Sequence, residues 1–183
     1  YLEADETKRR FVPVNTKPSV AQAAMIGNPV SMPRVIRIAK KYNELAKRRS
    51  VFVVQVSEQS IMSWQLIANR NGHIACTQGG ECLAGLVEAI SQNIVSPEET
   101  AILDATAHAI KFSGFQDMYF KSEIPQDYKI QTDPELVNMP ALVMPDDSGL
   151  VPSQDKRLSE GDFKKFVVDV GERIADRLEL EKS

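Results

Sequence analysis

Residues 31–112 alternate between two hydrophobic periods, and this alternation restricts the fold more than any other feature of the chain. Ser31 precedes a helix with Pro33 in its first turn, where a missing N–H costs nothing. Val35, Ile38, Tyr42 and Leu45 then recur at helical spacing, opposite a basic face of Arg34, Arg37, Lys41 and Arg48. "VFVVQV" at 51–56 is short, continuous and β-branched, the pattern of a strand buried on both faces. Ser57 caps a second helix with Ile61, Trp64, Ile67 and Ala68 on one side, and Asn71-Gly72 ends it. "HIAC" (73–76) reads as a second strand. "TQGGE" turns into a third helix that buries Leu83, Leu86, Val87 and Ile90, and "AILDA" (101–105) reads as a third strand. The order predicts an α/β fold: a mostly parallel, three-layer sheet with helices on both faces and right-handed crossovers.

Ligands of such sheets sit at the carboxyl ends of strands. Thr106 falls just past the strand at 101–105, followed at once by His108. The Thr106 hydroxyl is equally suited to cap a helix beginning near Ala107.

The flanks are less regular. Residues 1–10, with Lys8, Arg9 and Arg10 in a row, read as an exposed lead-in. Pro13, Pro18 and Pro29 break residues 11–31 into pieces, with a short helix expected within Ser19–Met25. Residues 113–158 carry five prolines and read as an irregular excursion with one helical turn near Pro134–Asn138. Ser159 and Asp162 resemble a capping box, with Asp in place of the usual Glu or Gln. The helix they start, 159–180, is expected to bury Phe163, Phe166, Val170 and Ile174 against its own domain. The chain therefore divides into an α/β portion, 1–112, and a Pro-rich extension with a closing helix, 113–183.

A chain of 183 residues can build a sizeable core. Its net charge of −3 lacks the excess of Lys and Arg that nucleic-acid binding uses. No apolar run is long enough to span a membrane, and no signal peptide is visible. The chain starts at Tyr1, not Met, so a preceding segment is expected; a cytoplasmic location is expected, with a plastid one open. Cys76 and Cys82 do not have CxxC spacing and read as reduced thiols. A zinc site would also need His73 and His108, and structural zinc ligands come in tighter pairs. No serine–histidine–aspartate arrangement, P-loop or GxGxxG is present. Gly79-Gly80 before a helix suits an anion on its backbone amides, and equally a steric requirement. Gly27, in "IGNPVS", suits either a ligand close to the backbone or a tight helix entry.

"AMIGNPVSMPRVI" (24–36), "HIACTQGGECLAGL" (73–86) and "LDATAHAIKF" (103–112) together resemble the C-terminal half of threonine synthases, of the branch that includes the plant enzymes. The resemblance spans about residues 11–112, and "TAH" followed by "IKF" is its most specific piece. It implies the large-domain portion of a fold-type II pyridoxal 5'-phosphate enzyme, the tryptophan synthase β-like architecture. In that family the threonine at this strand end hydrogen-bonds the cofactor's pyridine nitrogen, so the resemblance assigns Thr106 that role. It places the backbone of Ile26 and Gly27 near the cofactor and leaves His108 as a structural hydrogen-bonder. The Schiff-base lysine and the phosphate loop belong to the N-terminal half, and neither is found here. The implied partners are that N-terminal half, the substrate O-phosphohomoserine and a second copy in a homodimer. The reaction would yield threonine and phosphate, and this portion alone would be inactive. "TQGGEC" departs from the Pro-Ala-Ser-rich turn of relatives, which leaves cysteate synthase as a rival. Another fold-type II lyase and a non-catalytic α/β interaction module are the remaining alternatives.

Overall fold

The computed structural model describes residues 11–153 and 155–180; the lead-in expected at 1–10 lies outside them. Its contacts separate into two units, Tyr1–Asn138 and Met139–Ser183.

The first unit is organised by two helices whose boundaries follow local signals. Helix α1 spans Met32–Ala46, α2 Glu58–Arg70 and α3 Thr77–Ser91. Ser57 caps α2, its hydroxyl accepting the Ser60 N–H at 3.1 Å. The α2 face made by Ile61, Met62, Gln65, Leu66 and Ala68 is buried. Helix α3 packs closely on it: a Cβ added at Gly80 would lie 2.5 Å from the Ile61 carbonyl oxygen and 2.7 Å from the Gln65 Cβ. Gly80 is therefore required sterically by helix–helix contact in the first turn of α3, and Gly79 by Ala75, whose Cβ would lie 2.7 Å from an added Cβ. Leu83, Leu86 and Val87 are only half-buried, and Ile90 is exposed.

A further helix, α4 (Ser113–Phe120), lies where the sequence reads as irregular. It is short and opens with Ser-Gly, so it has little intrinsic propensity; packing makes it. Phe115 and Tyr119 join Val20, Ala21, Ile61, Met62 and Leu66 in the principal core. Fully buried Tyr119 then organises the next loop. Its hydroxyl accepts the Asp133 N–H at 2.9 Å, and its carbonyl accepts the Thr132 hydroxyl at 2.9 Å. The expected turn follows as a 3-10 turn at Pro134–Leu136, capped by Asp133. Another 3-10 turn, Gln22–Ala24, stands within the short helix expected at 19–25.

The predicted parallel sheet is absent. The described residues contain no strand, only the isolated antiparallel bridges Ala75–His108 and Ser153–Lys156. Residues 51–56 and 101–105 form no ladder. The Asn43 side-chain carbonyl takes the N–H groups of Ser50 and Val51, at 2.7 and 3.0 Å. Val53 is 60% exposed and Ile102 95% exposed, where a doubly covered strand would bury both. A β-branched run favours extended backbone, but a sheet needs partner strands in register.

Helix α1 also departs from expectation. Ser31 has helical dihedrals, φ −82 and ψ −10, and makes no cap bond. Only Ala39 is buried, while Val35, Ile38, Tyr42 and Leu45 are all exposed.

The second unit centres on α5, Glu160–Arg177. Ser159 caps it, accepting the Asp162 N–H at 3.2 Å while its hydroxyl donates to the Asp162 carboxylate at 2.7 Å. The shorter Asp thus reaches the cap hydroxyl, where a Glu would reach the backbone. Arg173 pairs with both Asp146 and Asp169. The expected burial of the stripe does not occur: no α5 residue is buried, Phe163 and Ile174 are exposed, and Phe166 and Val170 are half-buried. Phe163 and Phe166 instead stack on each other, ring centroids 6.3 Å apart. No helix among the described residues is long and apolar enough to cross a membrane.

Candidate functional site

The segment carrying Thr106 is held by a chain of hydrogen bonds that begins in α2. Gln65 donates its side-chain amide to the Ala75 carbonyl at 3.1 Å, and Asn69 accepts the Ala75 N–H at 2.9 Å. Both backbone groups of Ala75 are thereby fixed from one helix face. Ala75 in turn bridges His108. On either side of that bridge the Cys76 N–H donates to the Ala107 carbonyl at 3.1 Å, and the Ala109 N–H to the Ile74 carbonyl at 3.3 Å.

Upstream of Thr106 there is a second anchor. The Cys82 thiol donates to the Asp104 carbonyl at 3.4 Å. Burial pushes the Cys82 thiol up, with the negative charges of Glu81 and Asp104 adding to the effect. The sulfur therefore stays protonated, the form that can donate. Burial likewise raises the neighbouring Glu81 carboxyl, and the charge of Glu58 reinforces it. Both cysteines remain free thiols, and among the described residues no three His, Cys, Asp or Glu side chains gather to hold a metal ion.

Thr106 sits between these anchors, in irregular backbone just before the bend at Ala107, and is exposed. It does not cap the following turn. His108 does: it is extended, at φ −81 and ψ 148, and its Nδ1 accepts the Ile110 N–H at 3.2 Å, opening the 3-10 turn Ala109–Phe112. An imidazole Nδ1 occupies the place of an asparagine Oδ1, so it can close the same local ring. Thr106 is left as an exposed hydroxyl on a backbone fixed from both sides.

A cavity of about 460 Å³ opens beside this segment. Ile67, Leu83 and Leu103 line it with apolar surface; His73, Cys82 and Asp104 add polar groups, and Ala105, next to Thr106, is part of the wall. Among the described residues no lysine or arginine lines it. Ile26 and Gly27 do not line it either. The Gly27 carbonyl accepts the Val14 N–H at 2.9 Å, and a Cβ there would collide with the Val14 carbonyl, so this glycine serves the chain's own backbone. Ile26 is exposed, with its N–H on the Ala24 carbonyl at 2.8 Å.

Spacing marks Cys82 only as a reduced thiol and does not mark Gln65 or Asn69 at all. Each acts on a backbone carbonyl or N–H, and such a partner has no signature in the sequence. Among the described residues, Thr106 is exposed and caps no turn, which leaves its hydroxyl open to a ligand.

No family model matches this sequence. Over 119 residues, 65% of this chain, the sequence is 25% identical to Threonine synthase 2, chloroplastic, of Arabidopsis thaliana. The match covers 22% of that protein, so the chain corresponds to a minor part of its length.

Proposed function

We propose that this chain is the Thr106-bearing C-terminal portion of a pyridoxal-phosphate enzyme of the threonine synthase type. The observation that carries this reading is the state of Thr106, exposed and unneeded as a cap, between Cys82-anchored Asp104 and Cys76-anchored Ala107. The similarity to a plant threonine synthase supports it.

The bound cofactor would supply an electron sink for elimination and replacement at the β and γ carbons of an amino acid. Thr106 would donate its hydroxyl proton to the ring nitrogen. A neutral hydroxyl cannot hold a full proton there as a carboxylate can, which moderates the sink. The fixed backbone on either side removes the need to order Thr106 when the ring arrives. The resemblance would also bring the backbone of Ile26 and Gly27 near the cofactor, but neither lines the cavity beside Thr106 and Gly27 is taken up by Val14. The whole enzyme, with its N-terminal half, would take O-phosphohomoserine and water to threonine and phosphate.

The test is a paired assay of phosphate and threonine. The full-length protein, supplied with pyridoxal phosphate and O-phosphohomoserine, should release the two in equal amounts, and residues 1–183 alone should release neither. Cysteate formed from O-phosphoserine and sulfite, with O-phosphohomoserine untouched, would overturn the threonine synthase reading. Failure to bind the cofactor at all would overturn the whole assignment.

A further inference from the structure

We infer that His108 is a positioning residue of this site: with its ring proton on Nε2, it caps the turn Ala109–Phe112 and so holds the end of the segment that presents Thr106, two residues before it. This rests on the reading of Thr106 given above, but its structural half is measurable without any cofactor. Nδ1 accepts the Ile110 N–H at 3.2 Å, and an atom that accepts there cannot itself carry a proton. The ring proton therefore resides on Nε2. The backbone of His108 is bridged to Ala75, and its carbonyl accepts the Lys111 N–H at 3.2 Å. One residue thus ties the bend at Ala107, next to Thr106, to Ala75, which Gln65 and Asn69 of α2 hold, on one side and to the turn Ala109–Phe112 on the other. His108 is itself exposed, so the side chain is not retained to fill the core. Buried Ala109 next to it supplies that packing.

The chemistry of the acceptor sets the test. Asparagine places an oxygen where Nδ1 stands and can accept the same N–H; glutamine places its oxygen one bond further out and cannot close the same ring. In the 183-residue chain, ¹⁵N NMR of the imidazole should show Nδ1 unprotonated. The Ile110 amide should exchange about fivefold faster in His108→Ala and His108→Gln, the factor a lost side-chain cap is worth, and at the wild-type rate in His108→Asn. In the full-length protein the same ranking should appear in the dissociation constant of pyridoxal 5'-phosphate, with a weakening of about fivefold in the Ala and Gln variants and none in Asn. A protonated Nδ1, or an Ile110 amide indifferent to all three substitutions, overturns the inference. Correct exchange rates with an unaltered cofactor constant would leave His108 a cap only and refute its positioning role. Wild-type protein that binds no cofactor, with the exchange ranking intact, would instead refute the functional reading of Thr106.

Discussion

Replacing Gly80 by alanine places the contact between α2 and α3 under direct strain. The new Cβ would stand 2.5 Å from the Ile61 carbonyl oxygen, 2.7 Å from the Gln65 Cβ and 3.1 Å from its Cα. These separations are roughly 1 Å short of van der Waals contact, and the Ile61 oxygen and Gln65 Cα are backbone atoms that no rotamer change can move. Forced overpacking of this kind costs about 1–3 kcal/mol, and rigid partners put it at the upper end. Alanine recovers up to about 1 kcal/mol of helix propensity. The net expectation is a loss of about 2 kcal/mol, or about 4–8 °C in Tm for a chain of this size. Gly114→Ala, in α4 of the same unit, is the control: no atom lies within 4 Å of its added Cβ, so propensity acts alone and stability should rise. Both are read by urea and thermal melts followed by far-UV circular dichroism. A Gly80→Ala protein as stable as wild type would refute the close-packing argument. If it also lost phosphate affinity, the glycine pair would be an anion cradle after all.

Tyr119→Phe keeps the buried ring but removes the acceptor of the Asp133 N–H, and should cost about 1–2 kcal/mol in a denaturant melt, with loss of amide protection at Asp133. Ser159→Ala removes the cap of α5 and should lower the helix signal of the second unit by an amount matching about 1 kcal/mol, with α2 and α3 unaffected in residue-resolved exchange. The Cys82 thiol is raised in the folded chain, so the folded state holds that proton more tightly than the unfolded one. Its contribution is complete below the ordinary thiol pKa of about 8.5 and is lost as pH rises above it. A stability–pH profile should therefore fall on the alkaline side, and Cys82→Ala should flatten that limb while lowering stability at neutral pH.

The parts of this architecture legible in the sequence are those set by local chemistry. Ser57 and Ser159 announce the starts of α2 and α5 because a cap hydroxyl needs only the amides of the next turn, and Asn71-Gly72 marks the end of α2 for the same reason. The sheet was misread because "VFVVQV" and "AILDA" specify extended backbone and not a partner; in this chain Asn43 and Cys82 take up backbone groups that a ladder would have used. Helix α4 has no local signature because its stability comes from Phe115 and Tyr119 entering a core built by residues far away in sequence. At the site, the strand expected to end before Thr106 is absent, and Thr106 is an exposed residue two positions beyond the Asp104 carbonyl that Cys82 holds. The cap was the harder half, since an imidazole doing the work of an asparagine leaves no usual cap residue to find.

The most direct test of the account is the affinity of the full-length protein for pyridoxal 5'-phosphate with Thr106 intact and with Thr106→Val, which keeps the shape and removes the hydroxyl. Thr106 is exposed, so the fold should be indifferent to the change, with superimposable circular dichroism and Tm. Loss of a hydrogen bond worth about 1–1.5 kcal/mol predicts a dissociation constant raised about tenfold, and phosphate release from O-phosphohomoserine should fall with it. Equal affinity and equal turnover in the two proteins would show that Thr106 does not touch the cofactor, and would contradict the account at its centre.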